Sequence, residues 1–217
     1  MIMTQSETTT TELIKGPAGL LEIKRYASEG LPQQAWGIVC HPHPLFGGSM
    51  HNKVVTTIVK AFQQLGVNTI TFNFRGVGRS EGVFDQGRGE LEDLFAVIDW
   101  MQQQQTGLAL WLGGFSFGGY IVAKAATQIP VTKLLLVAPP VVNFAMDTLP
   151  PILCPFVLAQ GERDEVVSAE KVYAWCDAQN PRPEILRFPD AGHFFHGQLV
   201  ELRQGIVGAL GVTEPRP

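Results

Sequence analysis

Cysteine is scarce in this chain: Cys40, Cys154 and Cys176 are the only three among 217 residues, and no two form a C-x-x-C pair. That pattern excludes a disulfide framework and a cysteine zinc site, and it reads as reduced, mostly core thiols of a cytoplasmic protein. Basic runs are absent as well, and the formal net charge is −4. Nucleic acid is therefore not an expected partner, because phosphate binding needs clustered Lys and Arg. No stretch of about 18 apolar residues occurs, so neither a membrane span nor a membrane partner is implied. The opening MIMTQSETTTTE lacks the apolar segment of a secretory signal. Residues 1–11 are expected to form a loose tail. Charge is sparse at 17% while 45% of residues are hydrophobic, which is the balance of a folded globular chain. No composition break, linker or internal repeat divides it, so one domain is expected over 12–212. A monomer or homodimer is expected.

From Trp36 onward, short β-branched runs alternate with segments of helical period. Trp36–Cys40, Asn68–Phe74, Leu108–Leu112, Lys133–Ala138, Phe156–Gln160 and Glu184–Phe188 read as strands. Between them, Val54, Val55, Ile58, Val59, Phe62 and Leu65 repeat at helical spacing up to Gly66. A second helix opens at Glu90, Glu92 and Asp93, where acids suit the positive end of the dipole, and buries Leu91, Leu94, Phe95, Ile98 and Met101. Further helices are expected from Gly118 to about Gln128, from Ser168 to Ala178, and from Phe195 through Leu199, Leu202, Ile206 and Leu210. Strand–helix alternation implies a mostly parallel sheet covered on both faces. Leu13–Lys15 and Leu20–Tyr26 flank Gly16-Pro17-Ala18-Gly19 as an antiparallel hairpin at its edge.

Gly114-Phe115-Ser116-Phe117-Gly118 carries the strongest chemical signal. A G-x-S-x-G between a strand and a helix holds its serine on a tight turn above the sheet edge. The competing reading is a glycine-rich packing turn. A serine hydroxyl is a poor nucleophile at neutral pH, so the mechanism requires a base and a group that orients it. Asp164 follows the FVLAQ strand, and His193 follows the last strand, so both loops open on the same sheet edge as Ser116. The order Ser–Asp–His results. Glu162 and Glu165 are alternative acids, His196 is an alternative base, and Asp190 lies too near His193 to be the preferred partner.

Two other loops attract attention. His41-Pro42-His43-Pro44-Leu45-Phe46-Gly47-Gly48 follows the WGIVC strand. His41, His43 and His51 come without an acidic or cysteine cluster, so a stiff structural loop is preferred over a metal site. One of these histidines is expected to bond the loop's backbone in place. Arg75-Gly76-Val77-Gly78-Arg79-Ser80 lacks the G-x-x-x-x-G-K-S/T pattern of a phosphate loop and reads as a turn at the rim.

Taken together, HPHP…GG, NFRG-x-G-x-S, GFSFGG and AGHFFHG resemble the α/β-hydrolase superfamily over nearly the whole chain, and specifically a compact bacterial subgroup. The resemblance implies an α/β-hydrolase fold of seven to eight strands. It also implies esterase-like chemistry on a small acyl-containing substrate, with Ser116, Asp164 and His193 as catalytic residues and no metal or organic cofactor. Main-chain N–H groups would form the oxyanion hole: Phe117, plus one from the HPHP loop. Pro42 and Pro44 have no N–H, which leaves His43 or Leu45, with Leu45 preferred. Where most relatives carry His-Gly, this chain has His41-Pro42. Only a Pro-rich link joins Ala138 to Phe156, so no cap domain is expected, and a shallow pocket would be lined by Phe46, Phe115, Val141, Phe144 and Phe194. Thioester or aminoacyl-peptide cleavage by the same residues, and a non-catalytic binding protein of this fold, are the rival readings.

Overall fold

The computed structural model describes residues 10–29 and 34–211. Its centre is one eight-stranded sheet. The first two strands, β1 (Thr10–Gly16) and β2 (Gly19–Tyr26), form the antiparallel hairpin at one edge. The remaining strands are β3 (Ala35–Cys40), β4 (Asn68–Phe72), β5 (Ala109–Phe115), β6 (Lys133–Val137), β7 (Phe156–Gly161) and β8 (Glu184–Phe188). The order across the sheet is β1-β2-β4-β3-β5-β6-β7-β8. From β4 to the far edge every pairing is parallel, and β2 joins β4 antiparallel.

Two apolar layers cover the sheet. Helices α1 (Lys53–Gln64) and α5 (Leu199–Gly211) pack on one face, and α2 (Gly89–Gln104), α3 (Phe117–Ala126) and α4 (Ala169–Asp177) pack on the other. The alternation of β5 shows why both layers form. Leu110 and Leu112 point to the α2/α3/α4 side, whereas Trp111 and Phe115 point to the α1/α5 side. A strand buried on both faces must be apolar at every position, which is what LWLGGF supplies. Helix α1 starts where Asn52 Oδ1 accepts the Val54 N–H at 2.8 Å, and it stops before Gly66, whose φ is 80°.

Among the boundaries that depart from expectation, four have a visible physical reason. Residues 1–9 lie outside those described, but Thr10 and Thr11, expected in the tail, pair with Arg25 and Lys24 in the hairpin ladder. Strand β4 ends at Phe72, because Asn73 and Phe74 turn away into side-chain hydrogen bonds. Strand β5 runs on to Phe115, since the ladder to β6 continues as far as the Phe115–Val137 pair. Helix α5 begins at Leu199; Phe195 has φ 52° and packs in the turn before it, 5.4 Å ring to ring from Phe188. Residues 138–155, between β6 and β7, contain only a single 3-10 turn at Met146–Thr148, so no cap covers the sheet edge. Among the described residues no helix is long and apolar enough to cross a membrane.

Candidate active site

Ser116 sits between β5 and α3 with φ 52° and ψ −120°, a conformation that side chains rarely adopt. The flanking glycines make this turn possible. A Cβ at Gly114 would collide with the Gly118 carbonyl, and one at Gly118 would collide with the Cys40 and His41 carbonyl oxygens. Strand and helix therefore approach more closely than any side chain permits. Gly118→Ala is expected to cost about 1–3 kcal/mol through this overpacking and to displace Ser116. Thermal unfolding checks the first effect, and the rate at which a fluorophosphonate labels Ser116 checks the second.

The loops after β7 and β8 bring two partners to the serine. His193 Nε2 lies 3.1 Å from Ser116 Oγ, and His193 Nδ1 lies 2.8 Å from Asp164 Oδ2. The side chains of His193 and Asp164 are 4% and 0% exposed. An ionised carboxylate only accepts, so the imidazole proton sits on Nδ1 and donates to Asp164. Nε2 is then left to accept from the serine hydroxyl. Asp164 is itself held rigidly. Its Oδ1 accepts the Val166 and Val167 N–H groups at 2.8 and 2.7 Å, and Oδ2 also accepts from Gln160 Nε2 at 3.0 Å.

Burial pushes the Asp164 carboxyl up, but the hydrogen bond and charge of His193, with the Val167 and Val166 N–H groups, outweigh it and hold Asp164 below its ordinary 3.8. A depressed folded value means that ionised Asp164 stabilises the fold. That contribution is fully present above pH 3.8 and is lost as pH falls through the lower folded value. The stability advantage of the native chain over Asp164→Asn is therefore expected to be greatest near neutrality and to shrink below pH 3.8, as read from urea unfolding at several pH values.

The rival acids and base are engaged elsewhere. Glu162 lies against Tyr173 and Arg187, and Asp190 pairs with Arg163 at 2.6 Å. Glu165 accepts the His193 main-chain N–H at 3.2 Å, so it supports the loop rather than the imidazole. His196 is exposed and its ring meets Phe194.

Beside Ser116 the HPHP loop shows a division of labour. His41 is wholly buried; its Nε2 accepts the Phe74 N–H at 3.0 Å, and its Nδ1–H donates to the Pro42 carbonyl at 2.6 Å. Burial, opposed in part by the Pro42 bond, lowers its pKa to about 4, so the ring stays neutral and keeps both bonds. His41 thus ties the loop after β3 to the loop after β4. The preference for Leu45 as an oxyanion donor is corrected. Its N–H is donated to His43 Nδ1 at 3.2 Å, and the residue is 68% exposed. Among the described residues, neither the His43 N–H nor the Phe117 N–H at the start of α3 has an acceptor.

The expected pocket residues also separate. Phe46 is 86% exposed and Phe194 is 41% exposed, while Phe144 and Val141 are half-buried against the α2/α3 layer. Phe115 is wholly buried in the opposite layer with its ring 5.1 Å from His193, so it supports the imidazole and does not line an open surface. That correction follows from strand parity, since Phe115 shares a face with Trp111. Gln160 and the bond of His41 to the Phe74 N–H escape a reading of motifs; Glu165, named as an alternative acid, supports the His193 main chain instead, and His41 makes the expected bond to its own loop at Pro42. Only Gln160 leaves a signal, as one buried polar side chain ending an otherwise apolar strand.

A serine hydroxyl, an imidazole and a buried carboxylate joined by hydrogen bonds can move the serine proton to the imidazole and leave the oxygen more nucleophilic. The family model for serine aminopeptidase, S33, matches residues 38–154, a span that includes Ser116 and ends before Asp164 and His193. An α/β serine hydrolase homologue from Coxiella burnetii is 45% identical, with a TM-score of 0.90 over 97% of this chain and 99% of that one. An α/β serine hydrolase without lid from Xanthomonas campestris is 36% identical, with a TM-score of 0.91 and complete coverage, 100%, of both chains. An uncharacterized protein of Rickettsia prowazekii is 39% identical over 88% of this chain and 84% of its own length. With an eight-stranded sheet, an uncovered edge and likeness along nearly its full length, the chain belongs to the α/β-hydrolase superfamily, among its lidless serine hydrolases.

Proposed function

We propose that the protein is a carboxylic-ester hydrolase acting through an acyl-enzyme on Ser116. The observation that carries the reading is the unbroken hydrogen-bond chain from Ser116 through His193 to Asp164 at a strained strand–helix turn. In the first half-reaction, Ser116 Oγ forms a bond to the ester carbonyl carbon while its proton passes to His193 Nε2. Asp164 stabilises the resulting imidazolium. Phe117 and His43 donate their N–H groups to the oxyanion, each worth about 3 kcal/mol of transition-state stabilisation. Collapse breaks the bond to the alcohol oxygen, which takes the proton from His193. Water then gives a proton to His193 and bonds to the acyl carbon; the ester to Ser116 breaks, and His193 returns the proton to Oγ. No further reactant is needed.

The same residues would serve a thioester or an aminoacyl amide, because they act on the acyl carbon and not on the leaving group. Parallel assays separate these. p-Nitrophenyl butyrate, butyryl-CoA and an aminoacyl p-nitroanilide are offered to the same preparation. The reading expects the oxygen ester to be turned over with the highest kcat/KM. Preference for the anilide would replace it with a peptidase, and the thioester ranking first would replace it with a thioesterase.

A further inference from the structure

Aromatic rings around Ser116 fall into two sets that do not touch. One flanks His193, whose ring lies 5.1 Å from both Phe115 and Phe194. The other surrounds His43, whose ring lies 4.7 Å from Phe46 and from Phe84, 5.1 Å from Phe117 and 6.1 Å from Phe144. Phe144 continues this second set by stacking on Tyr120 at 5.0 Å. Among the described residues no ring contact joins the sets.

Acyl transfer gives the two sets different tasks. The leaving oxygen has to lie within hydrogen-bond reach of His193 Nε2, since that nitrogen returns the proton. Whatever is attached to that oxygen then runs along the Phe194 side. The carbonyl oxygen faces the Phe117 and His43 N–H groups. The remaining substituent, the acyl chain, is directed away from His193 and across the His43 set. There it meets Phe46, Phe84 and Phe144, none of them fully buried. Near them in the chain, Val83 beside Phe84 is 78% exposed and Val142, two residues before Phe144, is 52% exposed. His43 Nδ1 is committed as an acceptor of the Leu45 N–H, and burial, opposed in part by Glu90, moves its pKa below the ordinary value.

We infer that the preferred substrates are esters of bulky, apolar, aryl-bearing acids, with the acyl group seated on Phe46, Phe84 and Phe144 and the alcohol on the Phe194 side. This rests on the ester-hydrolase reading above and deepens it, because an open site alone suggests only short acyl groups. Aromatic rings favour one another in offset or edge-to-face contact, so an aryl acid gains more here than an alkyl acid of the same area.

The test compares p-nitrophenyl phenylacetate with p-nitrophenyl acetate, each kcat/KM divided by that ester's hydroxide-catalysed rate. The native chain is expected to prefer phenylacetate by about tenfold or more, and Phe144→Ala to reduce that ratio about fivefold. Phe46→Ala removes a largely exposed ring without risk to the core and is expected to lower the same ratio; Phe144→Leu preserves packing and is expected to lower it less than Phe144→Ala. Phe194→Ala is expected instead to change the ratio between p-nitrophenyl and methyl phenylacetate. Equal losses on both acyl groups in Phe144→Ala and Phe46→Ala, or an acyl ratio that responds to Phe194→Ala alone, would overturn the assignment. Failure of the ester reading looks different: no ester is turned over by the native chain at all, and both conclusions then fall.

Discussion

Ser116→Ala is expected to lower kcat for p-nitrophenyl butyrate by about 10⁴-fold or more, with little change in KM. The substitution removes the atom that bonds to the acyl carbon but leaves the Phe117 and His43 N–H groups and the aromatic surface in place. Binding therefore survives, and a small residual rate from oxyanion stabilisation survives with it. His193→Ala is expected to cost a similar factor, because an unactivated hydroxyl at neutral pH is a weak nucleophile. The two losses should not multiply. Serine and imidazole act on one proton in one step, so the double variant is expected to be no slower than either single one, within a few-fold. Steady-state kinetics on the three variants, with circular dichroism to establish that each is folded, checks this directly.

Asp93→Ala is expected to carry the largest stability loss, about 3–5 kcal/mol, which corresponds to roughly 10 °C in Tm for a chain of this size. Asp93 lies in α2 with its side chain wholly buried, and Arg75 is 9% exposed against it. The carboxylate accepts the Arg75 main-chain N–H at 2.9 Å, the guanidinium Nε at 3.1 Å and Nη2 at 2.8 Å. Hydrogen bonding to Asp93, only partly opposed by burial, holds the guanidinium above its ordinary value. Removing Asp93 leaves a buried cation whose one other ion-pair partner among the described residues is the exposed Glu92, at 3.4 Å. Such a charge cannot shed its proton to escape the penalty. Combining Asp93→Ala with Arg75→Met removes the cation as well and is expected to recover a large part of the loss. Urea unfolding of the single and double variants reads the difference. The loop that Arg75 anchors also carries Phe84, so the single variant should weaken turnover beyond what its unfolded fraction explains.

How these features stood in the sequence depends on how far apart their partners lie. Ser116, Asp164 and His193 were legible because each follows a recognisable apolar strand, and parallel strands deliver the loops after them to one edge. The hairpin, the helices on both faces and the missing cap followed from periodicity and from the short Pro-rich link. Asp93 was visible only as an acid near a helix start, where the dipole alone accounts for it; its partner Arg75 lies 18 residues earlier, in a loop read as a turn. His41 meets the Phe74 N–H across 33 residues, so no local pattern distinguishes it from His43. Glu22 was likewise hidden: it accepts from Asn73 Nδ2 at 2.8 Å and from the Arg79 N–H at 3.0 Å, and it fixes the NFRG-x-G-x-S turn from the hairpin. Leu45 looked eligible as a donor because proline chemistry eliminates only its neighbours; a bond between its own N–H and the His43 ring is set by loop geometry. Phe115 was misplaced by parity, since two glycines precede it and hide which face of β5 it occupies.

Ser116 is expected to be a nucleophile activated by His193. Labelling with a fluorophosphonate, followed by peptide mass spectrometry, tests it most directly. A single adduct on Ser116 is expected in the native chain, formed far more slowly in His193→Ala and absent in Ser116→Ala. An unlabelled Ser116 in a folded native chain, or a label on another residue with ester turnover retained in Ser116→Ala, would contradict it.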